Sequence, residues 1–129
     1  MKLLLDTHVL LWALLEPQKL SLELRTSLED SDNTLVVSAA SAWEIATKWR
    51  LGKLQHARSV VENYPRALHR LAAVDLPISG AVARRAGLWD VPHRDPFDRL
   101  LAAQAMSDDL VLASTDPAFA QFEGVVTLR

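Results

Sequence analysis

The sequence predicts an α/β fold, a three-layer sandwich in which helices cover both faces of a five-stranded parallel sheet. Five apolar runs are too short for helices and read as strands buried on both faces. Segments with helical spacing stand between most successive runs. Strands and helices in alternation build a parallel sheet with right-handed crossovers.

The first run is Lys2–Leu5, and helical spacing follows over Val9–Leu15 and Leu22–Glu29. Leu35–Val37 is the second strand, and the helix after it spans Ala42–Trp49. Ser41 with Glu44 three residues on has the pattern of a capping box, a hydroxyl and a carboxylate satisfying each other's backbone N–H groups. Helical spacing over Ser59–Leu71 leads to the strand Val74–Ile78, and Ser79 stands before the helix Gly80–Leu88. Asp95 and Pro96 give a cap and a proline at the first position of the helix Pro96–Ser107. Leu110–Ala113 and Val125–Leu128 complete the sheet, and the connection from Ser114 to Gly124 has room for a turn of helix.

At 129 residues, with no repeat or linker-like tract, the chain reads as one domain over 1–129. Half the residues are apolar and 23% are charged, the balance of a folded protein rather than a disordered one. The absence of cysteine excludes disulfides, thiolate metal sites and a cysteine nucleophile. The opening MKLLLDTHVLLWALL carries the lysine and leucines of a signal peptide, but Asp6 and His8 interrupt it and no small-residue cleavage site follows. The expectation is a cytoplasmic protein that does not enter the membrane. A net charge of −2 supplies no general attraction to nucleic acid, so any such function rests on a local site and bound cations.

In open α/β sheets ligands bind beyond the carboxyl ends of the strands. Asp6 follows the first strand directly and Asp116 follows the fourth, while Glu44 and Asp98 fall in the first turns of helices that begin at that same edge. Each has an ordinary explanation alone, as a cap, a turn residue or a partner of a helix dipole. Together they would repel, and divalent cations relieve such repulsion. Lys48, Arg94 and Arg99 are the nearby basic residues that would compete for that task. An all-oxygen site selects Mg²⁺ or Mn²⁺, which suit phosphodiester hydrolysis by activated water.

The stretches LLLDTHVLLWAL, SAASAWEIATKWRLGKL and HRDPFDRLLAAQAMSDDLVLASTDPAF resemble the PIN-domain ribonucleases, specifically the VapC-type toxins of bacterial toxin–antitoxin pairs. The resemblance runs from the first strand to the last and is weakest over residues 55–73. It implies a five-stranded parallel sheet, and Asp6, Glu44, Asp98 and Asp116 as the Mg²⁺- or Mn²⁺-binding residues of an endoribonuclease. Thr7 and Ser114 match small hydroxyl positions around the acidic cluster, and Asp95 and Arg99 stand as supporting residues. Family members are usually homodimers held inactive by a cognate antitoxin, and transfer RNA is a plausible substrate.

His8 and His93 flank the proposed site and read as local neighbours rather than proton carriers, since the family works with carboxylates and metal. His56 and His69 read as surface positions. The four tryptophans, Trp12, Trp43, Trp49 and Trp89, read as core or interface residues, with RNA stacking as the other use and Trp43 the open case beside Glu44. Lys48, Arg50, Lys53, Arg94 and Arg99 fit either a solvated surface or a grip on phosphates flanking the site. A phosphatase or a phosphotransfer receiver also places an aspartate after its first strand. The first wants a second aspartate where His8 stands, and the second wants an acidic pair and a late lysine that are missing. A non-catalytic binding module is the reading from a third class.

Overall fold

A computed structural model describes all 129 residues. It has five strands, β1 (Lys2–Leu5), β2 (Thr34–Ser38), β3 (Val74–Leu76), β4 (Val111–Ala113) and β5 (Thr127–Leu128). All pair in parallel in the order β3-β2-β1-β4-β5. The helices are α1 (Thr7–Leu15), α2 (Leu22–Glu29), α3 (Ala39–Arg50), α4 (Arg58–Glu62), α5 (Tyr64–Arg70), α6 (Gly80–Leu88) and α7 (Pro96–Ser107).

The central strand divides its leucines between two cores because successive side chains point to opposite faces. Leu3 and Leu5 pack with residues of α1 to α5, among them Val9, Leu10, Leu24, Ile45, Val60 and Leu68. Leu4 packs the other way, with Leu101, Ala102 and Ala105 of α7 and with Phe119 and Phe122. All three leucines are fully buried, each contributing roughly 1.5–3 kcal/mol. The three layers are thus written in one tripeptide.

The outer strands depart from the expected double burial. β3 is an edge strand with Val74 and Asp75 exposed, and its hydrogen-bonded run stops at Leu76, before a proline that has no N–H to donate. The helix expected over Ser59–Leu71 is two helices, since Asn63 leaves helical geometry, ends α4 and caps α5 ahead of Pro65. The connection after β4 holds a 3-10 turn over Pro117–Gln121.

Two helix starts move toward the strands that precede them. α1 begins at Thr7 with Asp6 as its cap, and α3 begins at Ala39 with Ser38 as its cap. The Ser41–Glu44 capping box does not form. Ser38 reaches the Ala40 N–H at 3.0 Å and leaves Ser41 inside the helix, where its Oγ accepts from the Thr7 hydroxyl at 3.0 Å. Both strands therefore pass into helices with no intervening loop, which brings Asp6 and Glu44 to the carboxyl edge of the sheet on rigid backbone.

Candidate active site

Asp6 sits where β1 becomes α1. Its N–H continues the ladder to the Ala113 carbonyl at 3.0 Å, and one carboxylate oxygen accepts the His8 N–H at 2.7 Å. The other oxygen accepts from Ser114 Oγ in a short bond. The residue is 6% exposed. Burial pushes its carboxyl above the usual range, the bonds from Ser114 and His8 pull it partly back, and the charge of Glu44 adds to the rise.

Asp98 lies in the first turn of α7, whose cap is Asp95. That cap accepts the Phe97 N–H at 2.9 Å and the Asp98 N–H at 3.4 Å, so the Asp98 side chain is not needed for capping. It meets His93 Nε2 at 2.8 Å instead. Burial, opposed by the His93 bond and reinforced by the charges of Asp95 and Asp6, pushes its carboxyl up to about 6. Phe97 and Leu100 are half-buried beside it, and the first fully buried core residue of the helix is Leu101.

Glu44 is 4% exposed and bonded to Lys48 one turn on, at 2.5 Å. Desolvation lowers the affinity of the Lys48 ammonium for its proton, but Glu44, with Asp95 and Asp98 further off, outweighs it and the net shift is upward. One lysine thus stands in the field of three carboxylates. Asp6, Glu44 and Asp98, remote in sequence, share one electrostatic site.

Asp116 is placed differently. It is exposed, its carboxylate caps the 3-10 turn through the Ala118 N–H at 2.9 Å, and its own N–H donates to Ser114 Oγ at 3.1 Å. It adjoins the cluster through the same serine that holds Asp6. Thr7 reaches α3 through Ser41 rather than touching a carboxylate.

Arg99 gives the largest departure from expectation. Its guanidinium does not project toward a phosphate but donates to the carbonyls of Ala86, Gly87, Trp89, Val91 and His93. A guanidinium has five N–H donors, so the fork is fully engaged. The segment from the end of α6 to His93 leaves carbonyls without helix or ladder partners, and Arg99 collects them. The signal available in the sequence was that unpatterned stretch, 89–95, followed by an arginine one turn into the next helix.

His8 is exposed, its ring 4.0 Å from Asp6, and His56 and His69 are surface residues. Trp89 packs edge-on against Phe122, whereas Trp43 is 56% exposed. No helix is long and apolar enough to cross a membrane.

No three acidic or histidine side chains are drawn close enough as they stand to enclose a metal ion. Mg²⁺ is nevertheless commonly held by one or two carboxylates with retained waters. A buried and a half-buried carboxyl whose proton affinity is raised mark a place short of positive charge, and their donors are all oxygen. The residues fit a hard divalent cation, with Asp6 and Asp98 as its principal carboxylates.

A parallel five-stranded α/β sandwich with acidic residues at its carboxyl edge defines the class, and comparison with known proteins agrees. The PIN domain family profile matches residues 3–125, and the chain belongs to that family. Ribonuclease VapC22 of Mycobacterium tuberculosis is 32% identical over 113 residues, 88% of this chain and 85% of that protein, which puts the chain in the VapC branch. Among solved structures, VapBC2 from Rickettsia felis bound to a DNA fragment from their promoter matches with a TM-score of 0.65 at 15% identity, over 99% of this chain and 98% of that one. FitAcB from Neisseria gonorrhoeae matches with a TM-score of 0.64 at 20% identity, over 98% and 96%. These two likenesses are of fold.

Proposed function

We propose that this protein is a divalent-metal-dependent endoribonuclease and the toxin of a toxin–antitoxin pair. The observation that carries the reading is the meeting of Asp6, buried, and Asp98, half-buried, carboxyls from opposite ends of the chain that both have raised proton affinity at one edge of the sheet. Mg²⁺ or Mn²⁺, when bound there, supplies an activated water and neutralises charge on the scissile phosphate. Ser114 and the His8 N–H fix the Asp6 carboxylate, and His93 fixes one oxygen of Asp98, so both ligands are oriented before metal arrives. Lys48, one-third exposed, holds Glu44 and stands ready to meet a substrate phosphate. Asp116, exposed and joined to the cluster through Ser114, would complete the acidic set around a bound metal.

The match to a VapC ribonuclease supports RNA as substrate, and the VapBC structures support a small partner protein that inhibits this one. A homodimer, a cytoplasmic location and transfer RNA as target belong to the same proposal. One observation favours a second reading: Glu44 and Asp98 already have partners in Lys48 and His93, as in a binding module whose acidic cluster only holds loops together.

Purified protein incubated with total bacterial RNA separates the two. Cleavage with Mg²⁺ that stops with EDTA and with Asp6→Asn is the expected result. Intact RNA with wild-type protein and metal rejects the nuclease in favour of the binding module.

A further inference from the structure

Trp43 is the large aromatic residue that the reading above leaves without a task. More than half of it is exposed, whereas Trp89 packs on Phe122 and Trp12 is half-buried. The ring is not loose, because Phe97 meets it edge-on with centroids 4.7 Å apart and planes at 73°. A side chain of α7 thus holds an indole of α3 in one orientation while leaving much of it open to solvent.

Its neighbours put the ring at the site. The next residue is Glu44, and Phe97 immediately precedes Asp98. The ring's contact with Phe97 bridges α3 and α7 one residue from Asp98, which sets it beside the acidic cluster. Residues three, four and seven positions on share its face of the helix, and these are Ala46, Thr47 and Arg50. On α3 itself no second large apolar side chain shares that face, although Ala46 borders an apolar cleft with Val60, Val61 and Tyr64. A braced, exposed aromatic with an arginine two turns along the same face suits a single-strand platform.

We propose that Trp43, braced by Phe97, stacks an unpaired base of the RNA beside the scissile phosphate. The proposal rests on the ribonuclease reading and deepens it by naming the side chain that holds a base beside the cut. Every base has a π-face, so the contact adds affinity and register without choosing sequence.

Binding of a labelled single-stranded RNA oligomer is measured by anisotropy in the inert Asp6→Asn protein with Mg²⁺, with Trp43 kept or changed to Phe, Leu or Ala. Stacking predicts that Kd rises about tenfold for Ala and for Leu but less than about threefold for Phe. In the active protein KM rises by a larger factor than kcat falls. Equal affinity across the series, or Leu binding as well as Trp, overturns the proposal. A Trp43→Ala change that alters the mass in light scattering at unchanged RNA affinity assigns the ring to a protein interface and also overturns it. Protein that binds RNA through Trp43 and cuts nothing defeats the nuclease reading alone, and protein that cuts RNA regardless of residue 43 defeats this proposal alone.

Discussion

Asp6 and Asp98 reach the same edge of the sheet, but the molecule holds them by different means. Asp6 is set by backbone: its N–H is in the ladder, its side chain caps α1, and its one outside partner, Ser114, ends the neighbouring strand. Asp98 is set by side chains. Its partner His93 lies on an irregular segment that Arg99 holds by three carbonyls while anchoring on two more at the end of α6, so its position depends on a guanidinium rather than on a strand. A site built half on rigid sheet and half on a tethered loop can be damaged in its second half without touching either carboxylate.

The largest expected effect falls on the first half. Asp6→Asn keeps a good capping residue and nearly the same shape, so the fold survives while the charge proposed to hold metal is lost. RNA cleavage is expected to fall by well over the roughly 10–100-fold typical of losing a residue that merely supports a ligand. Cleavage assays beside circular dichroism check both parts. Activity within tenfold of wild type would remove Asp6 from the site.

Arg99→Met tests the second half. The substitution keeps the stem and removes all five donors. Hydrogen bonds to charged groups are worth about 1.5–3 kcal/mol each, but several of these carbonyls can turn to water. The net loss expected is about 3 kcal/mol in urea unfolding, with amide protection falling over residues 86–95 before it falls in β1. Uniform loss of protection would mean that the segment is not a separate unit, and the contrast with Asp6 would fail.

The same contrast explains what could be read from the sequence. Lys2–Leu5 and Leu35–Val37 were legible as strands because unbroken apolar runs of that length have few other uses, and Asp6 was legible because it ends one of them. Glu44 was placed at the right edge on a wrong helix start: Ser38, not Ser41, caps α3, so Glu44 lies beyond the first turn in which it was expected. Asp98 was legible by elimination once Asp95 took the cap. The Arg99 clamp was signalled only by the unpatterned stretch before it, since its acceptors are backbone carbonyls, which carry no residue signature. Asp116 sits out at the surface because a carboxylate that caps a turn needs no burial, which spacing does not reveal.

Asp95→Ala separates capping from chemistry within the second half. Two N–H groups at the start of α7 lose their acceptor, and a loss of about 1 kcal/mol is expected, with cleavage largely retained. Full inactivation at unchanged stability, measured by cleavage and urea unfolding together, would make Asp95 a functional residue.

The smallest effect has the opposite sign. Burial pushes the Asp98 carboxyl up to about 6 in the folded protein, well above the ordinary value of an exposed aspartate. An acid whose folded value is raised subtracts stability when both states are ionised, and the penalty fades as pH falls from above 6 toward 4. A shift of this size would amount to under 3 kcal/mol for a fully buried group, and solvent reaching this half-buried one reduces it to about 1 kcal/mol. Asp98→Asn is therefore expected to be more stable than wild type by about that amount at pH 7 in EDTA, and no more stable at pH 4. Added Mg²⁺ should stabilise wild type and leave the variant nearly unchanged, so the two curves close at pH 7 as metal rises. A variant less stable than wild type at pH 7 without metal would mean that the His93 bond outweighs burial at Asp98, leaving the tethered half of the site with no strain for a cation to relieve.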